Sequence, residues 1–214
     1  MIILSDSSWN THYSRERSLL GYPDENLVRL ITSYKNSNDI DHKLAIDIGA
    51  GSGRHVKLLK DFGFKNIFAT DITEKAALIN SNIAVPAIRC DTSKSPFKDN
   101  SFDLAICWGS LHYDTQEGVT MQISEIERIL KPGGQLFGTF RKADDNYLVR
   151  EKKLSDNCWL ISVNDLESCP VTFADENYLK ILFKNFSFFE FGYMQRTRLN
   201  DLKIISHYFY KAIL

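Results

Sequence analysis

Cysteine is scarce in this chain, and the four present (Cys90, Cys107, Cys158, Cys169) show neither close pairing nor metal-ligand spacing. That removes a disulfide scaffold and a zinc site from consideration, and no metal is expected. Charge of one sign is also missing: 26 basic residues stand against 27 acidic ones, for a formal net charge of −1. No global basic field draws phosphate backbones to the protein, so no nucleic-acid partner is expected. No apolar run approaches the roughly 20 residues that cross a bilayer, so no membrane span is expected. The Met-Ile-Ile-Leu start is too short for a signal-peptide core and meets Ser5 and Asp6 at once, which together with reduced thiols predicts a cytoplasmic protein. Internal repeats and low-complexity segments are lacking too.

What is present is ordinary globular composition over 214 residues, 43% hydrophobic and 25% charged, enough for a single domain with a real core. Residues 1–22 are polar and aromatic and read as an arm, with Trp9, His12 and Tyr13 among them. Pro23-Asp24-Glu25 then starts a helix whose Leu27, Leu30, Ile31 and Tyr34 form one apolar stripe.

From Leu44 the pattern becomes strand and helix in alternation. Strands are expected at 44–48, 66–70, 84–90, 102–108 and 135–140, and helices at 54–61, 73–80 and 114–130, the last opened by an Asp114/Glu117 capping box. Such alternation builds a parallel sheet covered on both faces. Residues 142–173 lack periodicity and read as an insertion over one end of the sheet. A helix capped by Asp175 and two strands at 186–194 and 205–213 complete the chain, the short link making those strands antiparallel. The fold class is therefore α/β: one Rossmann-like, doubly wound, seven-stranded sheet, mostly parallel with an antiparallel C-terminal strand.

The turn after the first strand, IDIGAGSGRHV, places Gly49, Gly51 and Gly53 at alternate positions. In an open parallel sheet this turn is where ligands bind, and glycine lets backbone approach them closely. A dinucleotide would want the spacing G-x-G-x-x-G; here the third glycine comes one residue early and Arg54 takes its place. Asp71 and Asp91 end the next two strands, suited to a ribose diol and an adenine amino group. Asp47 sits just before the turn, able to orient its amides or to meet an ammonium group.

IDIGAGSG, FATDIT, CDTSKSPFKDNSFDLAICWGSLHY and ISEIERILKPGGQLFGTF together resemble the class I S-adenosylmethionine-dependent methyltransferases, of the type 11-like, small-molecule kind. The resemblance covers residues 44–140, somewhat under half of the chain. It implies S-adenosylmethionine as cofactor and S-adenosylhomocysteine as product. It sets Gly49, Gly51 and Gly53 along the methionine and ribose, Asp71 on the ribose hydroxyls and Ile72 on adenine. Asp91 and Thr92 would read the adenine edge, and Trp108 would line the pocket. His112 follows the fourth strand at the rim and is the candidate general base, its unperturbed pKa near 6.5 being chemically suitable. Tyr13, His112, Tyr113 and Tyr147 are the expected acceptor contacts, with residues 1–41 and 142–173 supplying the cover. The expected acceptor is a hydroxyl or amine on a metabolite, sugar or lipid-like ring; the alternative is a cofactor-binding partner module without catalysis.

Overall fold

The computed structural model describes residues 6–163 and 166–214. Helix α1 (Asp6–Tyr13) leads to α2 (Glu25–Ser37), whose first turn is capped by the Asp24 carboxylate accepting from the Asn26 amide. Then follow β1 (Leu44–Ile48), α3 (Arg54–Asp61), β2 (Asn66–Asp71), α4 (Glu74–Ser81), β3 (Ala87–Arg89), β4 (Phe102–Cys107), α5 (Gln116–Ile129) and β5 (Leu130–Arg141). The C-terminal part comprises β6 (Val149–Ser155), β7 (Cys158–Val163), β8 (Leu166–Thr172), α6 (Glu176–Leu182), β9 (Phe188–Arg198) and β10 (Asp201–Ile213).

Seven strands form one sheet in the order β3-β2-β1-β4-β5-β10-β9, and β10 alone runs antiparallel to both its neighbours. Alternation along β4 distributes its side chains to the two faces, as a strand period of two requires. Leu104 and Ile106 pack with Leu27 and Ile31 of α2 and Val56 and Leu59 of α3. Ala105 and Cys107 pack on the other face with Val119, Ile123 and Ile126 of α5 and Leu179 of α6. Both faces being covered, β4 is buried throughout, as a largely apolar central strand predicts; its one acid, Asp103, pairs with Lys43 and Lys131.

Residues 142–173 are more ordered than their sequence suggests. They hold a second, three-stranded antiparallel sheet, β6-β7-β8. Its inner face, with Ile161, Cys169 and Val171, forms a small core that Trp9 of α1 and Tyr113 join. The arm and the insertion thus close over the same end of the main sheet. Two further expectations shift. The last two strands meet in a tight hairpin rather than across a ten-residue link, with Asn200 at φ 62° in the turn. Helix α5 is capped by Thr115, whose hydroxyl accepts from the Gly118 amide at 3.1 Å, and not by Asp114.

Candidate active site

The glycine turn is held from three sides. The Gly49 and Ala50 amides both donate to the Thr70 carbonyl, at 2.8 and 2.9 Å, which ties the turn to the end of β2. The Gly51 amide donates to Asp71 Oδ2 at 3.0 Å, and the buried Asn80 amide donates to the Gly51 carbonyl at 3.0 Å. All three glycines have positive φ. At Gly51 the requirement is doubled, because a Cβ there would lie 2.6 Å from the Tyr13 hydroxyl. The close approach that this glycine permits is first of all that of the arm.

Asp71 is buried, and its Oδ1 accepts from both the amide and the hydroxyl of Thr73. A carboxylate offers about four acceptor positions, and at least three of those on Asp71 are taken by the turn and by Thr73, although the residue still lines the cavity. Burial pushes its pKa up, opposed by these hydrogen bonds. Asp91 is exposed and caps a short 3-10 turn, accepting from the Ser93 amide and hydroxyl through Oδ1 alone.

Asp47 is the anomaly. It is 1% exposed, neither carboxylate oxygen has a hydrogen-bond partner, and the turn amides go to Thr70 and Asp71 instead. His55 Nδ1 stands 3.9 Å away, too far for a hydrogen bond, and burial drives the His55 pKa down to about 3, so the imidazole carries no charge. Desolvation raises the Asp47 pKa to about 7, which the Arg54 guanidinium only partly offsets. An orphaned buried carboxylate costs free energy that a cation beside it would recover.

A cavity of about 590 Å³ opens beyond the strand ends. Gly49, Asp71, Ile72, Asp91 and Thr92 line it on the sheet side, and Tyr13 and Tyr113 line it on the side of the cover. Ile72, 38% exposed, offers a bare apolar surface there. Residues that sequence reasoning missed include Trp9, Ser110, Asp114, Met121 and Gln122; Ser110 lies within the fourth-strand motif without a role assigned to it, Asp114 read as part of a capping box, and only the aromatic character of the arm hinted at Trp9.

Six expected site residues do not line this cavity: Asp47, Gly51 and Gly53 stay in or beneath the turn, and the other three lie elsewhere. Trp108 continues the Leu104–Ile106 face and is buried against α2 and α3, with His55 at 6.5 Å, rather than lining the cavity. Tyr147 packs on the small sheet under the Arg198 guanidinium, 4.5 Å from its ring. His112 is 0% exposed behind the Tyr113 ring, whose centroid is 4.4 Å away. Neither ring nitrogen forms a hydrogen bond of good geometry, although the Thr139 carbonyl is close enough to favour its protonated form slightly. Burial first, then the charge of Arg141 and the neighbouring His207, hold its pKa well below the ordinary value. A neutral, enclosed imidazole is not at the rim where a base must stand. Among the described residues, no group of side chains is arranged to hold a metal ion.

A turn for close backbone approach, an unpaired acid beneath it and two acids on the following strand ends suit a ligand that is adenosyl at one end and cationic at the other. That combination, on this strand order, defines the class I S-adenosylmethionine-dependent methyltransferase domain. Residues 46–138, a little under half of the chain, match the family described as a methyltransferase domain. Over 109 residues the chain is 32% identical to the human protein named "Arginine-hydroxylase NDUFAF5, mitochondrial", covering 50% of this chain and 31% of that one. Over 104 residues it is 34% identical to the ubiquinone/menaquinone biosynthesis C-methyltransferase UbiE of Cupriavidus taiwanensis, covering 44% and 41%. The chain thus spans well under half the length of these curated relatives. In fold it is similar to 1,6-didemethyltoxoflavin-N1-methyltransferase of Burkholderia thailandensis, solved with 1,6-didemethyltoxoflavin and S-adenosylhomocysteine bound. The TM-score is 0.70 at 15% identity, covering 98% of this chain and 87% of that one. No helix among the described residues is long and apolar enough to cross a membrane.

Proposed function

We propose that this protein transfers a methyl group from S-adenosylmethionine to a small-molecule acceptor held under the cover that the arm and residues 142–173 provide. The observation that supports it is the cavity itself. Its volume of about 590 Å³ falls within the range of small-ligand sites, and it joins the acids of the strand ends to the aromatic rings of the cover.

Bound S-adenosylmethionine supplies an electrophilic methyl group on a sulfonium. In our reading Asp47 faces its ammonium group, Asp71 accepts from a ribose hydroxyl, and Ile72 packs on adenine. Asp91, with Oδ2 uncommitted, and Thr92 meet the adenine edge. Trp9, Tyr13 and Tyr113 exclude water and align the acceptor, and such orientation contributes roughly 7–11 kcal/mol to reactions of this type. Tyr13 acts through its ring and as a neutral hydroxyl, since burial and the nearby Asp71 push its phenol far above the ordinary range. His112 supports the Tyr113 ring from behind and does not move a proton. The test is incubation with methyl-labelled S-adenosylmethionine and a fractionated cell extract. Label should enter the low-mass fraction with formation of S-adenosylhomocysteine; label confined to RNA or protein would overturn the small-molecule reading.

A further inference from the structure

The loop between β4 and α5 carries a carboxylate whose position is built rather than incidental. Gly118 lies in the first helical turn of α5, where alanine would be more stable by roughly 1 kcal/mol. A Cβ on Gly118 would lie 2.3 Å from both Cγ and Oδ2 of Asp114. The carboxylate therefore occupies the space that a side chain at 118 would fill. From there Oδ1 accepts from the Thr115 amide and Oδ2 from Gln122 Nε2, each at 2.7 Å. The loop backbone is fixed from the other side by Thr172 at the end of β8. Its amide donates to the His112 carbonyl at 2.9 Å, and its hydroxyl donates to the Asp114 carbonyl at 2.8 Å. Asp114 thus stands on a rigid support, lines the cavity, and keeps part of its acceptor capacity free.

We propose that Asp114 anchors a cationic nitrogen of the acceptor, against the rings of Trp9 and Tyr113, so that this cavity takes an amine-bearing small molecule. The proposal rests on the methyltransferase reading above and assigns the acceptor's chemical class.

The lining supports a cation over other choices. Trp9 and Tyr113 meet edge to face at 4.9 Å, and Tyr13 lies 6.2 Å from Trp9, nearly parallel to it. The Tyr113 hydroxyl turns toward the buried Arg141 guanidinium, so the cavity receives its ring and not a free polar group. Aromatic faces beside a carboxylate attract an ammonium group through both ring quadrupole and charge. An anionic acceptor would instead meet Asp114, Glu117 and Asp91, with Lys94 alone of opposite sign along the lining among the described residues. The cofactor contacts proposed above use Asp47, Asp71 and Asp91, which leaves Asp114 uncommitted. Burial, with Asp91 adding to it, raises the Asp114 pKa above the ordinary carboxylate value despite the Thr115 and Gln122 bonds. A bound cation is what would restore the ionised form.

Two isosteric probes test this by calorimetry on protein saturated with S-adenosylhomocysteine: choline, which carries the cation, and 3,3-dimethyl-1-butanol, which has the same shape without it. Choline should bind about tenfold tighter or better, the factor that corresponds to about 1.4 kcal/mol. Asp114→Asn should abolish that preference while S-adenosylhomocysteine binds as in the wild type, which also shows that the variant is folded. Glu117→Gln should keep the preference. Equal affinity for the two probes, no choline binding at millimolar concentration, survival of the preference in Asp114→Asn, or its loss in Glu117→Gln would each overturn the proposal. Failure of S-adenosylhomocysteine to bind the wild type would overturn the underlying methyltransferase reading instead, and the proposal with it.

Discussion

Asp47 makes the protein's stability fall with pH over a range where most carboxylates do the opposite. Its folded-state pKa is about 7 against an ordinary value of 3.8. Between those values the native state holds a proton that the unfolded chain has lost, so the slope of unfolding free energy against pH is negative. The contribution is fully present below pH 4, is lost progressively up to about pH 7, and is constant above. One pH unit corresponds to 1.36 kcal/mol, so a separation of about three units sets a loss of about 4 kcal/mol as the upper end. Other carboxylates run the opposite way; Arg128, for example, holds Glu125 below its ordinary value. The quantity to measure is therefore the difference between wild type and Asp47→Asn, in which those contributions cancel. Urea unfolding at half-unit steps from pH 4 to 8.5 should show that difference changing by several kcal/mol in favour of the variant, all of it below pH 7.5. S-adenosylhomocysteine adds a second arm. If its ammonium group pairs with Asp47, its affinity for the wild type should rise between pH 5 and 7 with proton release, and the variant should lack both effects. Parallel stability curves for the two proteins would refute the account of Asp47 as an unpaired buried acid.

Asp145 should behave as an ordinary buried partner. Its Oδ2 lies 2.6 Å from Arg141 Nη1 and also accepts from the Ser206 amide at 2.9 Å, so Asp145→Ala strands a buried guanidinium and should cost about 3–5 kcal/mol. A change below about 1 kcal/mol in urea unfolding would show the pair to be more solvated than its burial implies. For His112, imidazole nuclear magnetic resonance shifts should be constant from pH 5 to 8, since the ring stays neutral throughout; a midpoint near 6.5 would return it to the list of candidate bases. S-adenosylhomocysteine at about 100 times its dissociation constant should stabilise the fold by about 2.7 kcal/mol, read as a thermal shift, and no shift at saturation would remove the cofactor assignment.

How far the sequence could be read depends on what kind of force fixes each part. The central strands and α2, α3 and α5 were legible because burial on a defined face imposes a period, and the hydrophobic pattern records that period directly. Asp47 and Asp71, among the last residues of β1 and β2, and Asp91, just beyond β3, were legible because the strand ends set their positions. The β6-β7-β8 sheet was not, since VREKKLS on β6 is exposed along most of its length and so carries no apolar alternation. The loop after β4 shows the limit most clearly. Leu-His-Tyr-Asp contains three plausible functional side chains, and nothing local decides which of them faces the cavity. Thr172, some sixty residues later, decides it by hydrogen-bonding the His112 and Asp114 carbonyls, which turns the imidazole inward and the carboxylate outward. Asp114 read as a helix cap because a cap and a ligand-facing carboxylate look alike in one dimension. Their difference lies in Thr115, which takes over the cap, and in Gly118, whose missing side chain leaves room for the carboxylate. A glycine in the first turn of an otherwise regular helix, four residues after an acid, was the one signal in the sequence that could have found it.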